Sequence, residues 1–247
     1  MTTTKKILFG LTLTILIFSS MGLFNFFKNT PSQIQAFVID PYKDSTTNLI
    51  YNLLFCDNLN LFKEKTQKPY TYPFDILFSE TSSIADLQKI TDDSGSDPRV
   101  KVLAYNKLIA SGHRPRKKEL FAVIVEVGLD NGLDVLASFN NGTARYINQT
   151  GKILIWETTT DETANNLTAA LFSNSQTIVD QIGPWENPRR PHPSKGNARI
   201  TFLVSDGLAF GEGPIDVLFN DPMDADALAS ATQLMQYLTE KSLNSNK

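Results

Sequence analysis

Three residues in the C-terminal half have the types a hydrolase needs: Ser205, Asp206 and His192. A serine at the end of a strand is a usual place for a nucleophile, and a histidine can serve as its general base. Yet Asp206 directly follows Ser205. Consecutive strand residues point to opposite faces, so the two are poorly placed for one relay. Asp206-Gly207 reads more simply as a turn.

Metal chemistry is thinly supplied. The chain has two histidines, His113 and His192, and one cysteine, Cys56. A zinc site would need both histidines plus carboxylates. His113 follows a helix stop and His192 lies between two prolines, so both read as loop histidines. No metal and no cofactor is expected, and a single cysteine forms no intramolecular disulfide. Asp92, Asp93 and Asp97, and again Asp221, Asp224 and Asp226, offer the oxygens calcium prefers, but the EF-hand spacing and its distal glutamate are missing. They read as turn acids and helix caps. Gly211-Glu212-Gly213-Pro214 resembles a phosphate loop only in its glycines and reads as a turn or bulge before Ile215. Neither G-x-x-x-x-G-K-[ST], G-x-S-x-G nor H-E-x-x-H occurs. No catalytic residue is therefore assigned, and the reading leans away from an enzyme. Asn141, Asn148 and Asn166 each begin an N-x-T triplet, the acceptor pattern for glycans in a eukaryotic secretory cell.

The first thirty residues say where the chain goes. Residues 1–6 carry Lys5 and Lys6 and no acid; Ile7 to Phe27 then runs 21 residues without a charge, and Lys28 closes it. As a helix this run is roughly 31 Å long, the thickness of a bilayer's hydrocarbon core. Ile7, Leu11, Leu13, Ile15, Ile17, Phe18, Leu23 and Phe27 are its expected membrane-spanning side chains. The basic flank keeps the N-terminus in the cytoplasm and sends the rest of the chain out. Two fates stand open. The run is either a retained signal anchor, making a single-pass protein with a periplasmic or extracellular body, or a signal peptide cut near Ser20-Met21-Gly22, releasing a secreted one. Residues 28–35, polar and holding Pro31, read as a tether.

The remainder divides by periodicity. Residues 36–118 read as a mainly helical subdomain. Thr46-Thr47 are positioned to cap a helix through Leu49, Ile50, Leu53 and Leu54, and Ser82 or Ser83 a second one. Asp97-Pro98 starts a third helix that Gly112 stops. Residues 119–247 read as an α+β sheet domain. Leu120 to Leu129 is rich in β-branched residues, and Asp130-Asn131-Gly132, Asn140-Asn141-Gly142 and Gln149-Thr150-Gly151 are tight-turn signals. Strands at 133–139, 143–148 and 152–157 follow, making a four-stranded antiparallel meander. Asp161 caps a helix that Gly183-Pro184 ends. Strands at 199–204 and 208–219 precede a last helix capped by Asp224 or Asp226. The expected architecture is an antiparallel meander sheet with helices packed on one face, preceded by the helical subdomain and the transmembrane helix.

Composition sets the functional limits. The chain of 247 residues is 41% hydrophobic and 20% charged with net charge −3, which describes a globular body and argues against nucleic-acid binding. Charge is segregated along it. Arg99, Lys101, Lys107, Arg114, Arg116, Lys117 and Lys118 fall in one stretch without an acid. Asp206, Glu212, Asp216, Asp221, Asp224, Asp226 and Glu240 fall in another without a base. The segregation reads as two solvated faces, as docking of the subdomain on the sheet, or as contact of Arg114, Arg116, Lys117 and Lys118 with anionic lipid. The expected function is that of a non-catalytic, membrane-tethered envelope protein whose exported body binds a protein partner or serves as an assembly subunit. The alternative is a small-ligand-binding or sensory domain with a pocket lined by Tyr146, Trp156, Phe202 and Phe210. A hydrolase of unfamiliar type stands third.

Overall fold

The computed structural model describes residues 39–245. Residues 7–27, read as the membrane span, and 28–35, read as the tether, lie outside them. Among the described residues no helix is long and apolar enough to cross a membrane.

Local caps start the helices. α1 (Ser45–Leu53) begins at Asp44, whose carboxylate accepts the Thr47 N–H at 2.7 Å and the Thr47 hydroxyl at 2.9 Å. The cap expected at Thr46-Thr47 thus sits earlier, because a carboxylate there satisfies both groups of Thr47. Asn58 caps α2 (Leu59–Lys65), and α3 (Phe74–Leu77) is a single turn. Ser83 and Asp86 form a reciprocal capping box on α4 (Ile84–Asp92). In α5 (Pro98–Ala110), Asp97 is the cap and Pro98 opens the first turn; past its end Gly112 adopts φ 82°, which a side chain resists.

The sheet has six strands in the order β4-β3-β2-β1-β5-β6, every neighbouring pair antiparallel. The meander is β1 (Leu120–Leu129), β2 (Gly132–Phe139), β3 (Ala144–Ile147) and β4 (Ile153–Trp156). The chain then makes α6 (Glu162–Val179), capped by Asp161, and crosses to the other side of β1 as β5 (Asn197–Val204) and β6 (Gly207–Pro214). α7 (Ile215–Leu218) and α8 (Ala225–Ser245) finish the described chain. The strand expected to run from 208 to 219 ends at Pro214. Proline has no N–H for the ladder, and Ile215 instead donates to the Gly196 carbonyl as α7 begins.

Helices cover both faces of the sheet rather than one. The reason lies in β1, where Leu120 to Val125 is apolar at every position instead of alternating. Ala122 and Ile124 join one core with Tyr51, Phe55, Leu87 and Leu103 of the N-terminal helical segment. Val123 and Val125 join a second core with Leu171 and Ile178 of α6 and Leu228 and Leu234 of α8. At roughly 1.5–3 kcal/mol per buried side chain, leaving either face bare would remove much of a stability typically about 5–15 kcal/mol. The helices read as a separate subdomain therefore share their core with the sheet.

Candidate functional site

The face of the sheet under α1–α5 carries a row of charges. In register across three strands stand Glu126 of β1, Arg199 of β5 and Glu212 of β6. Arg199 Nη1 lies 3.4 Å from Glu126 Oε2, and its Nε and Nη2 lie 3.0 and 2.8 Å from Glu212 Oε2. Arg199 also donates to the Pro191 carbonyl. From the helical layer the Tyr51 hydroxyl donates to Glu126 Oε1 at 2.6 Å. Burial pushes the Glu126 carboxyl up, while Arg199 and then the Tyr51 hydrogen bond hold it down.

The segment 185–196, rich in proline, straps across this row. Arg189 points inward, its Nε 2.7 Å from Asp57 Oδ2 and its Nη2 2.9 Å from Asn52 Oδ1, with the guanidinium carbon 3.9 Å from the centre of the Phe55 ring. Trp185 packs edge-on against Phe210. Ser194 crosses so close to Gly128 that a Cβ there would meet its carbonyl oxygen at 2.3 Å. With Glu126 and Arg199 at 0% and 2% side-chain exposure, the inner pair of the row is sealed from substrate, and Glu212 at 19% is its outer end. Its chemistry is that of a clamp joining helical layer, sheet and strap.

On the other face the packing is incomplete. Between α8 and the β1–β2–β3 end of the sheet lies a recess of about 210 Å³. Val125, Val127, Leu136, Phe219, Ala231 and Met235 supply most of its apolar wall, and its polar edge is Tyr146 with Asp134. The Tyr146 hydroxyl donates to Asp134 Oδ2 at 2.9 Å, and the Gln149 N–H to Oδ1 at 2.5 Å. Burial, then the hydrogen bond to Asp134, pushes the Tyr146 phenol above its usual range. An apolar hollow with a few fixed polar groups is the usual form of a small-molecule site.

Compared against family models and against characterised proteins, the chain gives no match.

Tyr146, Trp156, Phe202 and Phe210 do not form one pocket. Pairings of Leu136 with Tyr146, Ala144 with Trp156 and Val123 with Phe202 put three of them on the α6/α8 face, while Thr201 paired with Phe210 puts the fourth under the strap. Of the four only Tyr146 reaches the recess. Phe202 is fully buried core, and the Trp156 indole N–H is buried without a partner among the described residues.

The basic stretch also divides. Lys118 Nζ donates to the carbonyls of Val179 and Ile182 at 2.9 and 2.6 Å, neutralising the C-terminal end of α6. Arg114 pairs with Glu186 at 3.6 Å, and Arg116 and Lys117 are exposed beside Glu119 and Asp180 in a cleft of about 690 Å³. None of the seven bases of 99–118 pairs with any of the seven acids of 206–240; Arg99 turns back to Asp97 and Glu212 is held by Arg199 and Arg190.

Other candidates are structural. The Ser205 hydroxyl is buried, donates to the Lys117 carbonyl and accepts the Glu119 N–H, which leaves nothing for a nucleophile to do. His113 and His192 are exposed, each ring beside a backbone carbonyl. Among the described residues no three histidine, cysteine or acidic side chains gather as a metal site would require. Asp93 holds the turn to Ser96, and Asp221 accepts the Met223 N–H. Gly211-Glu212-Gly213 is strand, not turn, and Glu212 is the outer member of the charge row. The sequence offered one signal for that row: Glu126 is the single charge inside Leu120 to Leu129. A charge in a run apolar at every other position implies a buried partner, but not which one.

Proposed function

We propose that the chain is a non-catalytic, membrane-tethered protein of the cell envelope whose exported body binds a small, predominantly apolar molecule in the recess under α8. The recess carries the reading. It is concave, walled by aliphatic, methionine and phenylalanine side chains, and polar along one edge at Tyr146 and Asp134. The side chains best suited to chemistry elsewhere, Ser205 and Glu126, are sealed by protein partners. The tether rests on the uncharged run from Ile7 to Phe27 and its lysine flanks.

Two measurements test this. Fractionation and protease shaving of intact cells should find the chain with the membrane and its body cut from outside; a soluble, protected product sinks the tether. A thermal-shift series of small aromatic and aliphatic compounds should raise the melting temperature of the wild-type chain in detergent. Ala231→Phe, which fills the recess, should cancel that rise.

A second reading keeps the body as a docking module for a protein partner or as an assembly subunit. It is supported by Val217 and Met223, 54% and 42% exposed around the end of α7. Recovery of one defined partner with the intact chain, lost on Val217→Asp, would favour it over the ligand.

A further inference from the structure

Resting on the recess as a ligand site, we propose that its ligand is a primary amine on a small aromatic or aliphatic body, bound with the ammonium on Asp134 and the apolar part between the sheet and α8. Apart from the Tyr146 phenol, Asp134 is the only ionisable group among the described residues lining the recess. No ion pair of the described residues includes it, although it stands on the sheet face opposite Val127, half-buried. Its two hydrogen bonds, from Tyr146 and from the Gln149 N–H, come from neutral donors and fix the carboxylate in place. Each oxygen keeps lone pairs for a further donor.

A carboxylate in the wall of an apolar hollow favours a cation and repels an anion. A neutral hydroxyl gains one hydrogen bond there, whereas an ammonium gains a charge-assisted one, about twice as strong. Size sets the rest. An apolar cavity of roughly 150 Å³ accepts benzene, so about 210 Å³ accepts one ring with a two-carbon arm. Met235, on the α8 wall, has the flexible thioether that adapts to ring or chain.

The test compares three probes that share a phenylethyl group on the full chain in detergent at neutral pH: 2-phenylethylamine, 2-phenylethanol and 3-phenylpropanoate. Calorimetric or NMR titration should give the amine roughly tenfold or more over the alcohol, the worth of a hydrogen bond to a charged group, and no binding of the acid. Asp134→Asn should bring amine and alcohol together, while Tyr146→Phe should keep the amine's advantage. Ala231→Phe should abolish both. Equal binding of amine and alcohol by the wild-type chain overturns the amine and leaves the recess standing, whether or not Asp134→Asn folds. Amine binding that survives Ala231→Phe overturns the site. Failure of amine and alcohol alike overturns the recess reading itself.

Discussion

Glu126 and Arg199 face each other across the β1–β5 pair, Oε2 to Nη1 3.4 Å, with 0% and 2% of their side chains exposed. Neither charge has water to fall back on. Arg199→Met leaves Glu126 buried without that cation and should cost about 3–5 kcal/mol, the usual penalty for breaking a buried pair from one side. Glu126→Gln keeps the size and a hydrogen-bond partner for Tyr51, and Arg199 keeps Glu212 at 2.8 Å as counter-charge, so it should cost less. Urea unfolding of Glu126→Gln, Arg199→Met and the two combined should show the double change losing less than the sum of the single ones. A simple sum would mean the two charges are not coupled.

The strap depends on one missing side chain. At Gly128 a Cβ would stand 2.3 Å from the Ser194 carbonyl oxygen, a backbone atom that cannot swing aside. Gly128→Ala should lower stability by roughly 1–3 kcal/mol, as overpacking does. It should also open the 185–196 segment to limited proteolysis. An uncut strap at unchanged melting temperature would refute the contact.

Within the basic stretch, position decides effect. Lys118→Met removes the cation bonded to the carbonyls of Val179 and Ile182 and should cost about 1 kcal/mol. Arg116→Glu with Lys117→Glu should leave stability within about 0.5 kcal/mol, as exposed changes usually do. Liposome flotation of the same double variant then tests lipid contact without a folding defect confusing it.

Alkaline pH should unfold the protein through its phenols. Burial pushes Tyr42, Tyr51 and Tyr146 above their ordinary value of 10.0; the charges of Asp134 on Tyr42 and Glu126 on Tyr51 add to this. For Tyr146 the added cause is the hydrogen bond to Asp134. The folded state therefore favours the protonated phenols. The stability they contribute is whole below that value and is lost as pH rises through the higher folded values. Phenolate absorbance of these three should appear together with loss of near-ultraviolet circular dichroism, not before it.

Cys56 should report the same event chemically. It is fully buried and burial raises its thiol far above the usual range, so the reactive thiolate is absent from the fold. Ellman's reagent should label it only as denaturant unfolds the chain. Rapid labelling of the native protein would place Cys56 at the surface.

Residues close in sequence specified much of this molecule. Asp97-Pro98 and Asp161 start helices because a carboxylate satisfies amides two or three residues onward. Asn131-Gly132 and Asn140-Asn141-Gly142 turn the meander because Gly132 and Gly142 accept positive φ. The apolar, lysine-flanked opening run is equally a property of the sequence alone. Long-range pairing decided the rest. Arg199 meets Glu126 from 73 residues away and Glu212 from 13, through strand registers that no local pattern sets. The recess needs α8, 98 residues beyond Asp134 at Thr232, to lie over the β1–β2 end without filling it. Caps and turns follow from energies within a few residues, whereas a buried charge row and a hollow depend on which surfaces the whole chain brings into contact.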